Sequence, residues 1–157
     1  MLRAAALALI LLASLAAAQS DSPWLNWVAA NSPYGFDLTP DGTIWINLAK
    51  VGQKDDYSIR AQDLQQARHS NDRNPKFWVR GEHKRNTAVK YRETKALLSI
   101  DCEHEILYRL QITYYKPDGS VLAQVGYASE GYIVPGTFGA EYYRLFCLVT
   151  DPGGTGK

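Results

Sequence analysis

Asp101, Glu103, His104 and Glu105 form the densest group of side chains able to do acid, base or metal chemistry. Alternate carboxylates on one strand face can share a cation or a proton. Glu103-His104-Glu105 falls, however, where the chain must reverse between two strand-like runs, and solvated turn charges account for it equally well. The three histidines, His69, His83 and His104, do not stand at ligand spacing beside either cysteine, so no metal site is assigned. No G-x-S-x-G, H-E-x-x-H or glycine-rich dinucleotide fingerprint occurs. The terminal Gly-Thr-Gly-Lys echoes a phosphate loop only in part, because Asp151 takes the place of the first glycine and no Ser or Thr follows Lys157. No catalytic residue and no cofactor is assigned, and the chain reads as non-enzymatic.

Charge gives a second candidate. Residues 19–49 carry −3, residues 50–95 carry 12 basic and 6 acidic residues for +6, and residues 96–157 carry −3. The basic stretch holds Lys76, Arg80, Lys84, Arg85, Lys90, Arg92 and Lys95, with Trp78 and Tyr91 among them. Cations interleaved with aromatics suit polyanions such as glycosaminoglycan, lipopolysaccharide or an acidic protein face. The expected contacts are Lys76, Trp78, Arg80, Lys84, Arg85, Lys90, Tyr91 and Arg92. The competing reading is a solvated hairpin whose lysines guard an exposed sheet edge. The total, 17 Lys+Arg against 16 Asp+Glu for +1, gives no reason to expect a specific nucleic-acid partner.

The elements that must position these residues follow from periodicity. Ala96, Leu98, Ile100 and Cys102 alternate with Lys95, Leu97, Ser99 and Asp101, and Ile106, Tyr108, Leu110, Ile112 and Tyr114 alternate with Leu107, Arg109, Gln111, Thr113 and Tyr115. Both patterns predict strands with one buried face. Lys116-Pro117-Asp118-Gly119-Ser120 supplies a turn, and Val121 to Tyr127 resumes the alternation as the second arm of a hairpin. Thr43–Leu48 and Lys76–His83 are aromatic and β-branched runs of strand length, and Trp24–Ala29 is a further candidate. Lys50–Asp72 reads as surface loop, with a short helix through Ile59–Ala67 capped by Ser58. After Pro135-Gly136 the period changes: Thr137 is placed to cap a helix carrying Phe138, Tyr142, Leu145 and Val149 on one stripe. Strands followed by one terminal helix predict an α+β domain with a small antiparallel sheet of about five to six strands.

Residues 1–18 read as a secretory signal, with Arg3, an apolar run from Ala4 and Ala16-Ala17-Ala18 before Gln19. The run is too short to span a bilayer, and no later run approaches the length of a transmembrane segment. No lipoprotein-type Cys follows the cleavage site. The expected destination is therefore the periplasm or the extracellular, outer surface. Residues 19–150 form one domain and 151–157 a frayed tail; 46% hydrophobic and 21% charged residues suit a single globular unit. In an oxidising compartment Cys102 and Cys147, the only cysteines, are expected to pair, the alternative being two buried unpaired thiols. The bridge would pin the terminal helix onto the sheet face carrying Leu98 and Ile100.

Several stretches together resemble the bacterial surface-adhesin protein E family. They are Gly42-Thr43-Ile44-Trp45-Ile46-Asn47, Lys76-Phe77-Trp78-Val79, Tyr91-Arg92-Glu93-Thr94-Lys95-Ala96-Leu97, Ser99-Ile100-Asp101-Cys102, and Tyr132-Ile133-Val134-Pro135-Gly136-Thr137 leading to Cys147. The likeness runs from about Trp24 to Cys147. It implies a small sheet with a disulfide-tethered C-terminal helix, export to the envelope, and adhesion to host or matrix components. The stretch from 52 to 72 looks like an insertion relative to that family. Two binding modes follow: docking of matrix or polyanionic components, or a periplasmic interaction protein that pairs its sheet edge with a partner or with itself as a homodimer.

Overall fold

The computed structural model describes residues 23–31, 34–48, 55–70 and 72–148, so the signal segment 1–18, Val149 and the tail 151–157 lie outside the described residues. Helix α1 (Pro23–Asn31) leads into strands β1 (Phe36–Leu38), β2 (Ile44–Asn47) and β3 (Asp56–Arg60). Helix α2 (Ala61–His69) precedes β4 (Lys76–Glu82), β5 (Glu93–Asp101), β6 (Ile106–Tyr115) and β7 (Val121–Tyr132). Helix α3 (Phe138–Tyr143) continues into one π-helical turn, Arg144–Leu148. The strands form one antiparallel sheet in the order β1-β2-β3-β4-β5-β6-β7, a meander in which every strand pairs with its chain neighbours. The α+β class and the antiparallel sheet are as expected, but the described residues form seven strands rather than five or six.

Strands β1 and β3 were not expected, and one expected strand is absent. Trp24–Ala29 is helical, not extended. Pro23 opens that helix, a position that costs proline nothing because the first turn has no partner for an N–H, and Trp27 and Val28 are its buried residues. Residues 50–54 and 71 lie outside the described residues, and within the rest of that stretch Asp56–Arg60 is a strand in the interior of the sheet, not surface loop, and the helix begins at Ala61 instead of Ile59. Ser58 is consequently a buried strand residue whose hydroxyl accepts from the Arg80 guanidinium at 3.3 Å, not a helix cap. Short polar stretches hide a strand when only two residues, here Tyr57 and Ile59, face the core.

The core lies between the sheet and a layer of helices. The register aligns Phe36, Ile46, Ile59, Val79, Ala96, Ile112 and Val125 in one row across all seven strands. The middle of that row is buried under the helices, while Phe36 and Val125 at its ends are exposed. Phe77 on β4 is fully buried, stacked on Phe146 at 4.2 Å between ring centroids and tilted against Tyr142 at 5.4 Å. Leu64 of α2 and Leu145 of the π turn complete the same cluster. Trp27 adds the face of its ring to the Arg68 guanidinium, 3.7 Å away.

Asp63 is the main polar anchor of this layer. Its carboxylate is buried, accepts from Arg60 Nε and Nη2 at 2.9 and 2.6 Å, and accepts the backbone N–H of Trp78 at 2.7 Å. Trp78 lies one residue beyond the last β3 partner of β4, Val79, so a side chain of α2 continues the hydrogen bonding where the strand ends.

Cys102 and Cys147 form a disulfide, with Cα atoms 5.6 Å apart. It joins the β5–β6 turn to the π turn and holds the C-terminal helix on the sheet face carrying Leu98 and Ile100. Thr137 occupies the N-cap position of α3 with extended backbone, but its hydroxyl donates backward to the Val134 carbonyl at 2.6 Å; its own carbonyl accepts from Ala140 N–H.

Candidate functional site

The basic stretch does not assemble into a free cationic patch. Arg80 is buried on the sheet face away from the helices, bonded to Asp37 at 2.8 Å and Ser58, 3.5 Å from Glu82, and over the Trp45 ring. Lys84 pairs with Glu82 at 2.7 Å and Arg85 with Asp56 at 2.6 Å. That pairing raises the Lys84 ammonium above its ordinary pKa, first through the hydrogen bond to Glu82. Arg92 spends its guanidinium on the carbonyls of Val89, Tyr91 and Asn86, which organises its own loop. Lys95 stands 3.4 Å from Glu93 and over the Tyr115 ring. Trp78 is half-buried, and Tyr91 packs edge-on against His83 and Tyr114. Lys76 and Lys90 are exposed and make no ion pair among the described residues. Most of these partners, Asp56, Glu82 and Glu93, belong to the basic stretch itself, and Asp37 is the acid that β1 brings to it from outside.

Asp101, Glu103 and His104 form a turn. Asp101 Oδ1 accepts the N–H groups of Glu103 and His104 at 2.9 and 3.0 Å, and Oδ2 lies 2.9 Å from His104 Nδ1. Glu103 pairs with Arg73 across exposed surface, and Glu105 takes a positive φ of 56°. Among the described residues no group of three His, Cys, Asp or Glu side chains is placed to hold a metal. The Asp101 hydrogen bond raises the His104 pKa above its ordinary 6.5. A histidine raised on folding stabilises the native state fully below its unfolded pKa, and that contribution disappears as pH rises through the folded value. In an NMR titration His104 is expected to titrate above 6.5 and, in Asp101→Asn, to fall back toward it; an unchanged midpoint would refute the pairing.

A cavity of about 660 Å³ lies between the sheet and the C-terminal helix. Beta strands β5 and β6 form its floor, α3 with Phe138 and Tyr142 one wall, and β7 the other. Its shape depends on a β-bulge. Leu97 pairs with Gln111 but Leu98 pairs with Arg109, so Leu110 is the extra residue and the alternation reverses there. Ile112 and Tyr114 face the helix layer as expected, whereas Leu107 and Arg109 replace Tyr108 and Leu110 on that face. Bulges commonly re-aim side chains in this way. On β7 the residues in register with Arg109 and Leu107 are Ser129 and Gly131, whose small size leaves that wall low.

One end of the cavity is polar. Thr94, Tyr57, Tyr91 and Tyr114 line it. Beneath them His83 Nε2 is 3.0 Å from Thr94 Oγ1, and His83 Nδ1 is 2.9 Å from Asp55 Oδ1, close enough for an ion pair but not aligned as a hydrogen bond. Carboxylate, imidazole and hydroxyl thus occur in the order of a hydrolytic relay. Thr94 is 7% exposed, and a Cβ built on the facing Gly81 would stand 2.6 Å from its hydroxyl oxygen. The crowding makes the array a packed polar support for the tyrosines. Burial, first among the causes, raises the phenols of Tyr57 and Tyr91 above their ordinary pKa, so both remain protonated donors at neutral pH.

The chain matches no model of a protein family, no curated protein and no solved structure. Among the described residues no helix is long and apolar enough to cross a membrane. The class defined by fold and site is thus an α+β meander with a disulfide-held helix and an open cavity beneath it.

Proposed function

We propose that this chain is an exported, non-enzymatic binding protein of the bacterial envelope, in keeping with its resemblance to the surface-adhesin protein E family, and that it binds through the free edge of β7. The observation that carries this reading is the character of that edge. Among the described residues β7 ends the sheet; it is 12 residues long and carries no charge from Val121 to Ser129. Val121, Leu122 and Val125 are 54%, 43% and 37% exposed. Edges without charge or proline can template pairing with a further strand, and on β7 the register shifts, near Leu122 and between Gly126 and Ser129, leave Ala123–Gly126 as the regular run. The opposite edge is blunted: β1 has three residues, and its central Asp37 is tied to Arg80.

A second copy is the simplest partner. Two β7 strands pairing antiparallel about a two-fold axis bring no like charges together over the uncharged run. Docking of polyanions through the basic stretch is left, among the described residues, with Lys76, Lys90 and the carbonyl-bound Arg92 as cations without an ion pair and is the weaker reading. Sedimentation velocity over a concentration series is expected to show a reversible dimer in the micromolar range. Leu122→Lys with Val125→Lys should weaken that dimer by roughly 100-fold, through lost apolar burial and like charges opposed across the axis. A wild-type protein that stays monomeric throughout the series would refute self-association through this edge.

A further inference from the structure

We propose that the cavity between β5–β7 and the C-terminal helix binds an uncharged aliphatic molecule bearing a single hydroxyl, its chain along Leu98, Leu107 and Ile112 and its oxygen toward the tyrosine end. The volume, about 660 Å³, falls in the range of small-molecule sites, and apolar walls with a few polar groups are their usual lining.

Aromatic contacts hold the helix to one side of the cavity. Phe138 and Tyr142, one turn apart on α3, rest on Tyr57 of β3 and Phe77 of β4, with ring centroids 4.4 and 5.4 Å apart. The disulfide fixes the far end of the same helical segment. The helix therefore stands over β3 and β4, and Leu107 and Ile112, on the β6 floor beyond it, are only half-buried. An apolar chain laid on them removes that surface from water.

Charge sets the ligand class by exclusion. Arg109 is exposed and already engaged within the protein, so its guanidinium is no spare counter-ion. Glu130, the acid among the lining residues, is in register with Tyr108 and so belongs to the opposite face of β7. Among the described residues no other charged side chain lines the space. An ion entering it would lose water without gaining a counter-charge, a penalty that a neutral molecule does not meet. The polar groups that remain are hydroxyls. Thr94 Oγ1 is taken by His83 Nε2 at 3.0 Å, whereas the phenol oxygens of Tyr57, Tyr91 and Tyr114 make no hydrogen bond among the described residues. Tyr91 and Tyr114 touch, with ring centroids 4.9 Å apart. A phenol donates and accepts, which suits an alcohol oxygen in either role.

The access side is set by β7. Ser129 and Gly131 are the residues beside Arg109 and Leu107, and a Cβ added at Gly131 meets nothing within 4 Å. Gly131 has no left-handed φ, so the position accepts a side chain without backbone strain. A leucine there would take up space beside Leu107 that the small residue leaves open.

The test uses the intact protein with octanol, octanoate and octyltrimethylammonium as probes, read by shifts of backbone amide resonances. Octanol is expected to shift the resonances of Leu107 and Ile112 and to bind at least about 10-fold more tightly than either ion. Tyr91→Phe with Tyr114→Phe should weaken octanol by roughly 5- to 10-fold, the loss of one hydrogen bond. Gly131→Leu should weaken it by about 10-fold or more at an unchanged melting temperature. The proposal is overturned if octanol moves no cavity resonance, the result expected were the space taken by another segment of the chain or by a second copy. It is overturned equally if either ion binds as tightly as the alcohol, if the paired phenylalanines leave octanol affinity unchanged, or if Gly131→Leu folds normally and binds as before.

Discussion

Replacing Cys102 and Cys147 with serine is expected to lower the melting temperature by roughly 10–20 °C. The bridge closes a loop of 45 residues, for which loss of unfolded-state entropy corresponds to about 4 kcal/mol. In a domain of this length each kcal/mol moves the midpoint by roughly 3–5 °C. The effect should be local as well as global. The disulfide is the covalent tie between the sheet and the π turn beyond α3, so its loss should release Tyr142 and Phe146 from the cavity side of the core before the strands separate. Calorimetry under non-reducing conditions measures the first effect, and near-ultraviolet dichroism the second. A shift below about 3 °C would show that the unfolded chain is already restrained in that region.

Phe77→Ala is expected to cost about 3–5 kcal/mol, the range for removing a buried phenylalanine. Phe77 has no exposed surface and is held between Phe146 and Tyr142. The π turn is fixed at its far side by the disulfide, so the surroundings are poorly placed to collapse into the space left behind. Phe77→Leu, which keeps most of the volume, should cost only about 1–1.5 kcal/mol. Urea denaturation of both variants separates a cavity from a general loss of sheet. Because Phe146 is next to Cys147, combining Phe77→Ala with the serine pair should not give the sum of the two losses.

Legibility in the sequence followed how local the determining interactions are. The β6 boundaries, Ile106–Tyr115, were readable because ten residues alternate without interruption, and the Lys116–Ser120 turn because Gly119 takes the positive φ that its place demands. The cysteine pair was readable from the export reading and the count of two. β3 was not, since its neighbours on both sides, β2 and β4, supply what its five residues lack. Nor was the buried role of Asp63, whose partners include a backbone N–H 15 positions away. The partner of Arg80 was hidden for the same reason: it finds Asp37 at a separation of 43 residues, so a charge count along the chain misses the pairing. The cavity was invisible because one bulged residue, Leu110, reverses the facing of everything N-terminal to it in β6, and periodicity alone has no mark for that reversal.

The neighbour-to-neighbour strand order also sets how this sheet is assembled. Each pairing joins strands that are consecutive in the chain, so the entropy of closing each loop is small and is met one strand at a time. A sheet of this topology has low contact order for a β-rich chain, which places it among the faster folders of its class. Assembly can proceed from the N-terminal side as the chain emerges, each finished strand serving as template for the next. β7 is the last strand laid down. Among the described residues its edge is the long one left unpaired when the sheet is complete, so the hazard of edge-to-edge pairing belongs to the finished fold rather than to the stages before it.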